Sequence, residues 1–369
     1  MAPVSVVIPA YNCQGFLAEA VDSVYKQTLV PSEVIVVNDG STDDTESLLR
    51  RLSDRLPKTF RWITKENGGS ASARNAGIRL ATGRFIAFLD HDDLWFPEKI
   101  ARQMDQFAAE PELTLSFTAM TVAPYELAED GSLRAQSSSD RDRNDATPAD
   151  PSHAEISLIR KQTGPYGLFP SWNPEPEAVL AQLMSDPPMG SLSTVMVRRE
   201  AFERIGLFNQ ELRISDDWLM WLNMAAAGMK FGHVPEEMVL YRNHESNLTR
   251  SRLTVWNDLC SMFDEFLATN ELPRRVRKQI RLRRSCAYWH LITAIQELNV
   301  GSKRGARKHV LRAAWIHPPS VRIGWARMLG IGSAPRWGAN AGERQPRADA
   351  ALGEAAAGSG EKVPADPSP

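Results

Sequence analysis

Short apolar runs alternate with segments of helical periodicity along the N-terminal part of the chain, and this alternation limits its possible folds most strongly. Runs rich in β-branched or aromatic residues predict strands at Val4–Pro9, Glu33–Asn38, Phe60–Thr64 and Arg84–Leu89. Apolar residues at helical spacing predict intervening helices over 16–24, 41–52 and 70–81. Strands that alternate with helices form a mostly parallel sheet covered on both faces, so we expect a Rossmann-like α/β fold.

The ends of the predicted helices carry their own signals. Ser41–Asp44 has the form of a capping box that opens the second helix, and Ser41 and Asp44 are the predicted cap residues. Gly83 follows the third helix at the position of a C′ residue. Later patterns predict two strands and a helix, at Ser193–Val197, Val234–Tyr241 and Asp216–Ala227, with Gly228 beyond the helix.

Composition excludes several classes of protein. The 369-residue chain is 43% hydrophobic and has a formal net charge of −2, which is globular and unlike a polycation that binds nucleic acid. The cysteines, Cys13, Cys260 and Cys286, are few and form no CxxC pair, so we expect free thiols in a reducing compartment rather than disulfides or a zinc site. The N-terminus lacks the basic and apolar regions of a signal peptide, and we expect a cytoplasmic protein.

Polar side chains follow the predicted strands at the edge where an open parallel sheet binds its ligands. They lie in Pro9–Asn12, Asn38–Ser41 and Asp90–Asp93. Clustered carboxylates repel one another unless a cation compensates, and oxygen ligands favour a hard ion such as Mg²⁺ or Mn²⁺. The sequence therefore predicts a diphosphate bound as its metal complex.

The same segments resemble the motifs of family 2 glycosyltransferases with the GT-A fold, in matching order and spacing. Val4–Asn12 is similar to the opening of that family, and Asn38–Asp43 to its nucleotide-base motif. The similar segments that follow are Gly68-Gly69, Ala73–Gly77 and Phe88–Asp93 before the DxD site, Asp216-Asp217-Trp218 at the ED motif, and Tyr241–His244 near the donor phosphates. The chain departs from the family pattern in its Asp-Asp pair at the ED motif and in a long polar segment over 124–188.

This resemblance implies roles for the residues of the nucleotide pocket. Pro9 and Tyr11 would line the base pocket with Asn12 nearby, and Asp39 would accept a hydrogen bond from the base. Arg74 would lie near the base or the diphosphate.

The resemblance also implies roles for the acidic residues and one histidine. Asp90 would contact ribose or a metal-bound water, Asp92 would bind the metal, and Asp93 would lie behind them. Asp217 would be the catalytic base, and His244 would reach the metal or the diphosphate.

The implied activity is metal-dependent transfer of a single sugar, with inversion, from a nucleotide-diphosphate sugar to a hydroxyl group. A UDP-sugar is the favoured donor, and a glycan or lipid-linked molecule of cell-surface polysaccharide or glycolipid synthesis is the expected acceptor. We expect a GT-A domain over 1–250, with a nucleotide-binding half (1–123), a polar variable insertion (124–188) and an acceptor and catalytic half (189–250). A helical, basic region (251–332) and a disordered tail (333–369) follow.

The basic C-terminal region allows two interpretations. Arg304, Lys308 and Arg312 are four residues apart and form a ridge beside apolar Leu311 and Trp315. A second basic stretch, upstream, spans 274–284. Such a helix either presents a solvated charged face or docks on an anionic membrane surface, which would make the protein peripheral on the inner face of the membrane.

Other functions fit the sequence less well. A nicotinamide dehydrogenase needs glycines in the turn after the first strand, where this chain has Pro9–Asn12. A sugar nucleotidyltransferase calls for a Gly-rich loop with a basic residue at the same place. A non-catalytic nucleotide-sugar-binding protein on the same scaffold would be expected to lose Asp92 or Asp217, and both are present.

Overall fold

We analysed a computed structural model of the chain. It describes residues 2–127, 133–135, 165–166, 175–184, 189–244, 247, 252–272 and 281–317. Most of the predicted 124–188 insertion, the basic stretch over 274–280 and the predicted 333–369 tail lie outside these residues.

The described elements reproduce the predicted alternation of strands and helices. The strands are β1 Ala2–Ala10, β2 Pro31–Asn38, β3 Phe60–Thr64, β4 Phe85–Phe88, β5 Leu94–Trp95, β6 Leu113–Leu127, β7 Leu133–Ala135, β8 Pro165–Tyr166, β9 Val195–Arg198 and β10 Lys230–Asn243. The α-helices are α1 Leu17–Tyr25, α2 Thr45–Arg55, α3 Ser70–Leu80, α4 Lys99–Ala109, α5 Pro176–Leu183, α6 Glu200–Ile205, α7 Asp216–Ala226, α8 Arg252–Thr269, α9 Arg281–Asn299 and α10 Lys303–Ile316.

The strands form one sheet in the order β3-β2-β1-β4-β9-β6-β10-β5, with β7 and β8 paired to β6. Strands β3, β2, β1 and β4 are mutually parallel, and so are β6 and β10. Strand β9 runs antiparallel to both β4 and β6 and joins these two parallel parts. The predicted α/β fold class is confirmed. All the antiparallel pairs among the described strands lie in the part of the sheet that runs from β4 through β9, β6 and β10 to β5.

The core lies on both faces of the sheet because alternate residues of the parallel strands point to opposite sides. In β1, Val6 and Ile8 pack into the core under α1, α2 and α4, whereas Val7 belongs to the core under α3 and α7. Helix α3 lies very close to β1, since a Cβ atom on Gly77 would be 2.4 Å from Val7 Cγ1. This contact fixes the helix that carries Arg74 against the centre of the sheet.

Of the two predicted helix-end signals in the first half, one was right only in part and the other was wrong. Helix α2 begins at Thr45 with the predicted Asp44 as its N-cap residue, but the side chain of Asp44 makes no capping hydrogen bond. Asp43 Oδ1 instead accepts from Thr45 N (3.0 Å). Gly83 has no positive φ and is required for another reason. Its N–H donates to Ser5 Oγ (2.8 Å), and a Cβ would lie 2.7 Å from Ser5 N. Gly228 does follow α7 with φ +75°, as predicted.

The C-terminal helices pack on the face of the sheet that α3 and α7 cover. Phe263 and Phe266 of α8, together with buried residues of α9 and α10, continue the core that contains Trp218 and Trp221 of α7. Among the described helices, none has the length and apolarity needed to cross a bilayer.

Candidate active site

Asp39 lies at the carboxyl end of β2, where it fixes the loop before α3. Its buried carboxylate accepts from Gly69 N (2.7 Å), from Gly68 N (3.1 Å) and from Lys65 Nζ (2.7 Å). The Gly68-Gly69 pair identified in the sequence is therefore bound to Asp39. A ligand group that bonds to Asp39 would have to share this carboxylate with the loop.

Asn12 connects the ends of β1 and β2. Its side-chain Oδ1 accepts from Thr42 N (2.8 Å), and its own N–H donates to Ser41 Oγ (3.0 Å). Asn12 has φ +48°, a left-handed conformation that asparagine tolerates better than most residues. Beside it, Tyr11 is 46% exposed just beyond the end of β1, while Pro9 is buried within that strand.

Arg74 joins the two acidic motifs. One guanidinium nitrogen donates to Asp216 Oδ2 (2.8 Å) and the other to Asp90 Oδ1 (3.1 Å). Burial lowers the pKa of Arg74, but these carboxylates and Asp217 raise it above its ordinary value overall. Two buried atoms of this group, Arg74 Nε and Asp216 Oδ1, have no hydrogen-bond partner among the described residues.

Asp92 and His244 are brought together although 152 positions separate them. His244 Nε2 lies 3.1 Å from Asp92 Oδ2, and Asn247 Nδ2 lies 3.5 Å from the same oxygen. Burial raises the pKa of Asp92, but His91 and His244 lower it to about 2 overall. A carboxylate beside an imidazole at a strand end is a donor set that suits a divalent cation such as Mn²⁺.

Asp93 has a structural role that its acidic neighbours do not share. Its carboxylate accepts from Ser193 Oγ (2.6 Å), from Ser191 Oγ (3.2 Å) and from Arg242 N (3.2 Å). Ser193 Oγ also accepts from Asp90 N (3.0 Å). The sequence analysis gave these serines no site role and placed Arg242 only within the Tyr241–His244 segment, because only the fold brings β9 and β10 beside the acidic loop.

Phe16 holds two histidines of the site in place. It stacks on the ring of His91 and packs at a tilt against the ring of His244, each at 5.7 Å between centroids. His91 Nδ1 in turn lies 3.0 Å from Pro9 O at the end of β1. These contacts connect the first strand to both the acidic loop and His244.

Asp217 is the second residue of α7, and its pKa is raised well above the ordinary value of a carboxylic acid. Burial and the charge of Asp216 raise its pKa to about 7, although Arg74 lowers it. Asp217 Oδ1 also accepts from Trp218 N (2.6 Å). The side chain is half-buried, whereas Asp216 is only 1% exposed, so Asp217 is the member of the pair that can meet a ligand.

Asp258 of α8 supports the turn that precedes Asp217. Its Oδ1 accepts from Arg213 N (3.0 Å), and its Oδ2 accepts from Ile214 N (3.0 Å) and Ser215 N (2.7 Å). The sequence analysis did not identify Asp258, since nothing in its neighbourhood marks it as part of a site. The helical C-terminal region thus contributes directly to the position of the α7 N-terminus.

The chain is similar in sequence to known glycosyltransferases. Residues 5–149 match the model of Glycosyl transferase family 2. Over these residues the chain is similar to family 2 glycosyltransferases. The chain is 28% identical over 273 residues to an uncharacterized glycosyltransferase of Rickettsia prowazekii, over 73% of this chain and 74% of that one. It is also 40% identical over 115 residues to the chondroitin synthase of Pasteurella multocida, over 31% of this chain and 12% of the synthase.

Solved structures of glycosyltransferases share the fold. The S. aureus TarS structure (residues 1–349) with UDP-GlcNAc superposes with a TM-score of 0.60 at 16% identity, over 88% of this chain and 83% of that one. The mannosyltransferase PcManGT of Pyrobaculum calidifontis, solved with GDP-Man and Mn²⁺, gives 0.51 at 20% identity, over 90% of this chain and 82% of that one. At such low identity these neighbours establish the GT-A fold and nothing finer.

The fold gathers some of the sequence-predicted site residues into two groups and places others at the neighbouring strand ends. Asp92 lies with His244, while Asp90, Arg74, Asp216 and Asp217 form a connected charge cluster. Asp39 and Asn12 bond to neighbouring loops at the ends of β1 and β2.

We predict that Asp258→Ala destabilises the protein by ~0.5–2 kcal/mol, the usual cost of losing a helix-capping group, because three backbone N–H groups before α7 lose their acceptor. Urea unfolding followed by circular dichroism measures the change. Ser261→Ala, an exposed position on the same helix, is the control. Equal stability of the two variants would contradict the supporting role of Asp258.

Proposed function

We propose that this family 2 enzyme transfers a single sugar from a UDP-sugar to a hydroxyl group of a glycan or lipid-linked acceptor, with inversion at the anomeric carbon. One observation supports this proposal most directly: Asp92 and His244 are in contact at the carboxyl edge of the sheet. Asp217 lies at the same edge. This edge is where open α/β sheets bind nucleotides.

The donor would bind across the ends of β1 and β2. Tyr11 is exposed there, Pro9 is buried beside it, and Asn12 bonds to the loop after β2. Asp39 would receive the base at the carboxylate that already holds Gly69. Solved neighbours were determined in complex with UDP, UDP-GlcNAc or GDP-Man, which supports a nucleotide sugar as the class of donor.

The residues at the acidic loop fit a divalent metal ion. Asp92 supplies a carboxylate whose pKa is lowered to about 2, so it is charged at any physiological pH. His244 supplies a ring nitrogen 3.1 Å from that carboxylate. Asp92 and His244 would hold Mg²⁺ or Mn²⁺, which when bound stabilises negative charge on a leaving diphosphate. One neighbour is described with Mn²⁺.

Asp217 would act as the base. Its carboxylate takes the proton of the acceptor hydroxyl while that oxygen bonds to the anomeric carbon. The bond from this carbon to the donor diphosphate breaks, and its electron pair leaves with the nucleoside diphosphate. One base and one displacement give inversion. Asp216 is too buried and too closely paired with Arg74 to share this task.

Arg74 would orient the reacting groups rather than take part in proton transfer. It is charged, buried and bonded to both Asp90 and Asp216. The unpartnered Arg74 Nε and Asp216 Oδ1 provide a donor and an acceptor for polar groups of a ligand.

Helix α10 supports the proposal of a peripheral membrane contact. Leu311 is 60% exposed and Trp315 is 74% exposed, one turn apart. Exposed Arg304 and Lys308 lie on the same side of the helix, and Arg312 packs its guanidinium over the Trp315 ring at 5.4 Å. Apolar and basic side chains on one face suit an anionic lipid surface, as lipid-linked acceptors would require.

Asp92→Ala should abolish most of the stabilisation by donor and metal. A UDP-sugar at 100 times its dissociation constant stabilises a protein by ~2.7 kcal/mol, and the variant lacks the carboxylate proposed to hold the metal and diphosphate. Thermal shift with a panel of nucleotide sugars and Mn²⁺ measures the loss. Asp105→Ala, at an exposed position on α4, should respond as the original protein does. An undiminished shift in Asp92→Ala would remove the proposed metal ligand.

Asp217→Asn should keep donor binding and lower transfer by ~10²–10⁴-fold, because the amide cannot accept the hydroxyl proton. In the original protein, kcat/KM should rise as pH increases through about 7, since the pKa of Asp217 is raised to that value and its charged form is the active one. Release of UDP across a pH series measures both effects. A flat profile over this range would show that Asp217 is not the base.

Binding to anionic vesicles should decrease when Leu311 and Trp315 are both replaced by serine. Fewer apolar side chains would then enter the interface, while the basic charge is unchanged. Sedimentation with vesicles that contain anionic lipid, against neutral vesicles, measures the effect, and added salt should weaken binding. Val300→Ser, 63% exposed between α9 and α10, serves as the control. Equal sedimentation of all three proteins would refute the membrane contact.

A further inference from the structure

A buried cluster of metal-ligating side chains lies in the C-terminal helices, apart from the donor site. Cys260 of α8, His290 of α9 and His309 of α10 bring their ligand atoms within 4.8 Å of one another. The side chains are 2%, 2% and 7% exposed. Three different helices therefore each supply one ligand-type atom to a single buried point.

The two histidines approach each other through their Nδ1 atoms. His290 Nδ1 lies 3.1 Å from His309 Nδ1. On the other side of its ring, His290 Nε2 lies 3.1 Å from Asp264 Oδ1. A carboxylate that accepts from one ring nitrogen fixes the proton there and leaves the opposite nitrogen as a ligand, which is the usual arrangement behind metal-bound histidines.

The thiol completes the cluster. Cys260 Sγ is buried and lies 3.1 Å from Thr293 Oγ1. A thiol that binds a metal ion does so as its thiolate. Arg312 Nε also donates to Asp264 Oδ2 (3.0 Å), which balances the charge of this carboxylate.

We propose that Cys260, His290 and His309 bind a zinc ion through Sγ and the two Nδ1 atoms, with Asp264 orienting His290. Thiolate and imidazole ligands select zinc over the hard ions that a carboxylate site prefers. Three protein ligands leave the fourth tetrahedral position to a solvent ligand. The ion is separate from the Mg²⁺ or Mn²⁺ proposed at Asp92, and this inference does not depend on the proposed transfer reaction.

The ion would join α8, α9 and α10 at one point. Asp258, which bonds the turn before Asp217, lies two residues from Cys260 on α8. Zinc would thus stabilise the helix that positions the N-terminus of α7.

The same contacts also allow a network without metal. In that arrangement His309 Nδ1–H donates to His290 Nδ1, and His290 Nε2–H donates to Asp264. This network needs no cation and predicts that added zinc neither binds nor stabilises the protein. The two arrangements therefore differ in a measurable way.

The test uses the full chain, purified without a polyhistidine tag or chelator. Elemental analysis should find about one zinc ion per chain. Protein stripped of metal should gain thermal stability on adding zinc, and added Co²⁺ should produce a thiolate-to-cobalt absorption band. If the original protein contains no zinc and shows neither response, the proposal is overturned, and no variant is needed for this result.

Variants test which residues bind the ion. Cys260→Ala and His309→Gln should lose the zinc, and Asp264→Asn should weaken its binding by ~10–100-fold. Cys286→Ala, which removes another buried thiol of the same bundle, should retain it. Asp92→Ala should also retain it. Loss of zinc in Cys286→Ala or Asp92→Ala to the same extent as in Cys260→Ala would overturn the assignment.

Discussion

The ion pairs of Arg74 with Asp90 and Asp216 are the interaction on which the candidate site depends. Two acidic motifs, far apart in sequence, converge at the carboxyl edge of the sheet, and without a buried cation between them their charges would repel. Removal of one partner of such a pair leaves a buried charge uncompensated. The resulting loss of folding stability is far larger than the net stabilisation that the intact pair provides. Arg74 is held there because α3 packs tightly on β1 at Gly77.

The candidate site residues are held in place by groups that lie behind them. Asp93 fixes the acidic loop through Ser193 and the backbone of Arg242, and Asp258 fixes the turn before Asp217. The second half of the sheet and the C-terminal helices are thus part of the site's geometry. A zinc ion at Cys260 would extend this support from α8 to the two helices that follow.

Strong local patterns allowed much of the fold to be predicted. The strand at Phe60–Thr64 was predicted at its observed bounds, and the helix that starts at Asp216 ends one residue earlier than expected. Local signals failed where distant contacts compete: Asp43 rather than Ser41 bonds the start of α2, because Ser41 accepts from Asn12. Gly83 looked like a helix end, yet its small size serves the approach to Ser5.

The sequence by itself determined the α/β class, the glycosyltransferase resemblance and the candidate residues at the strand ends, because strand ends and their polar side chains are local features. Only the tertiary structure decided which of them meet. It paired Asp92 with His244 and Arg74 with Asp216, and it gathered a thiol and two imidazoles that no sequence spacing joins. Such contacts depend on the order of strands and the packing of helices, since these bring distant parts of the chain together in ways that no short segment encodes.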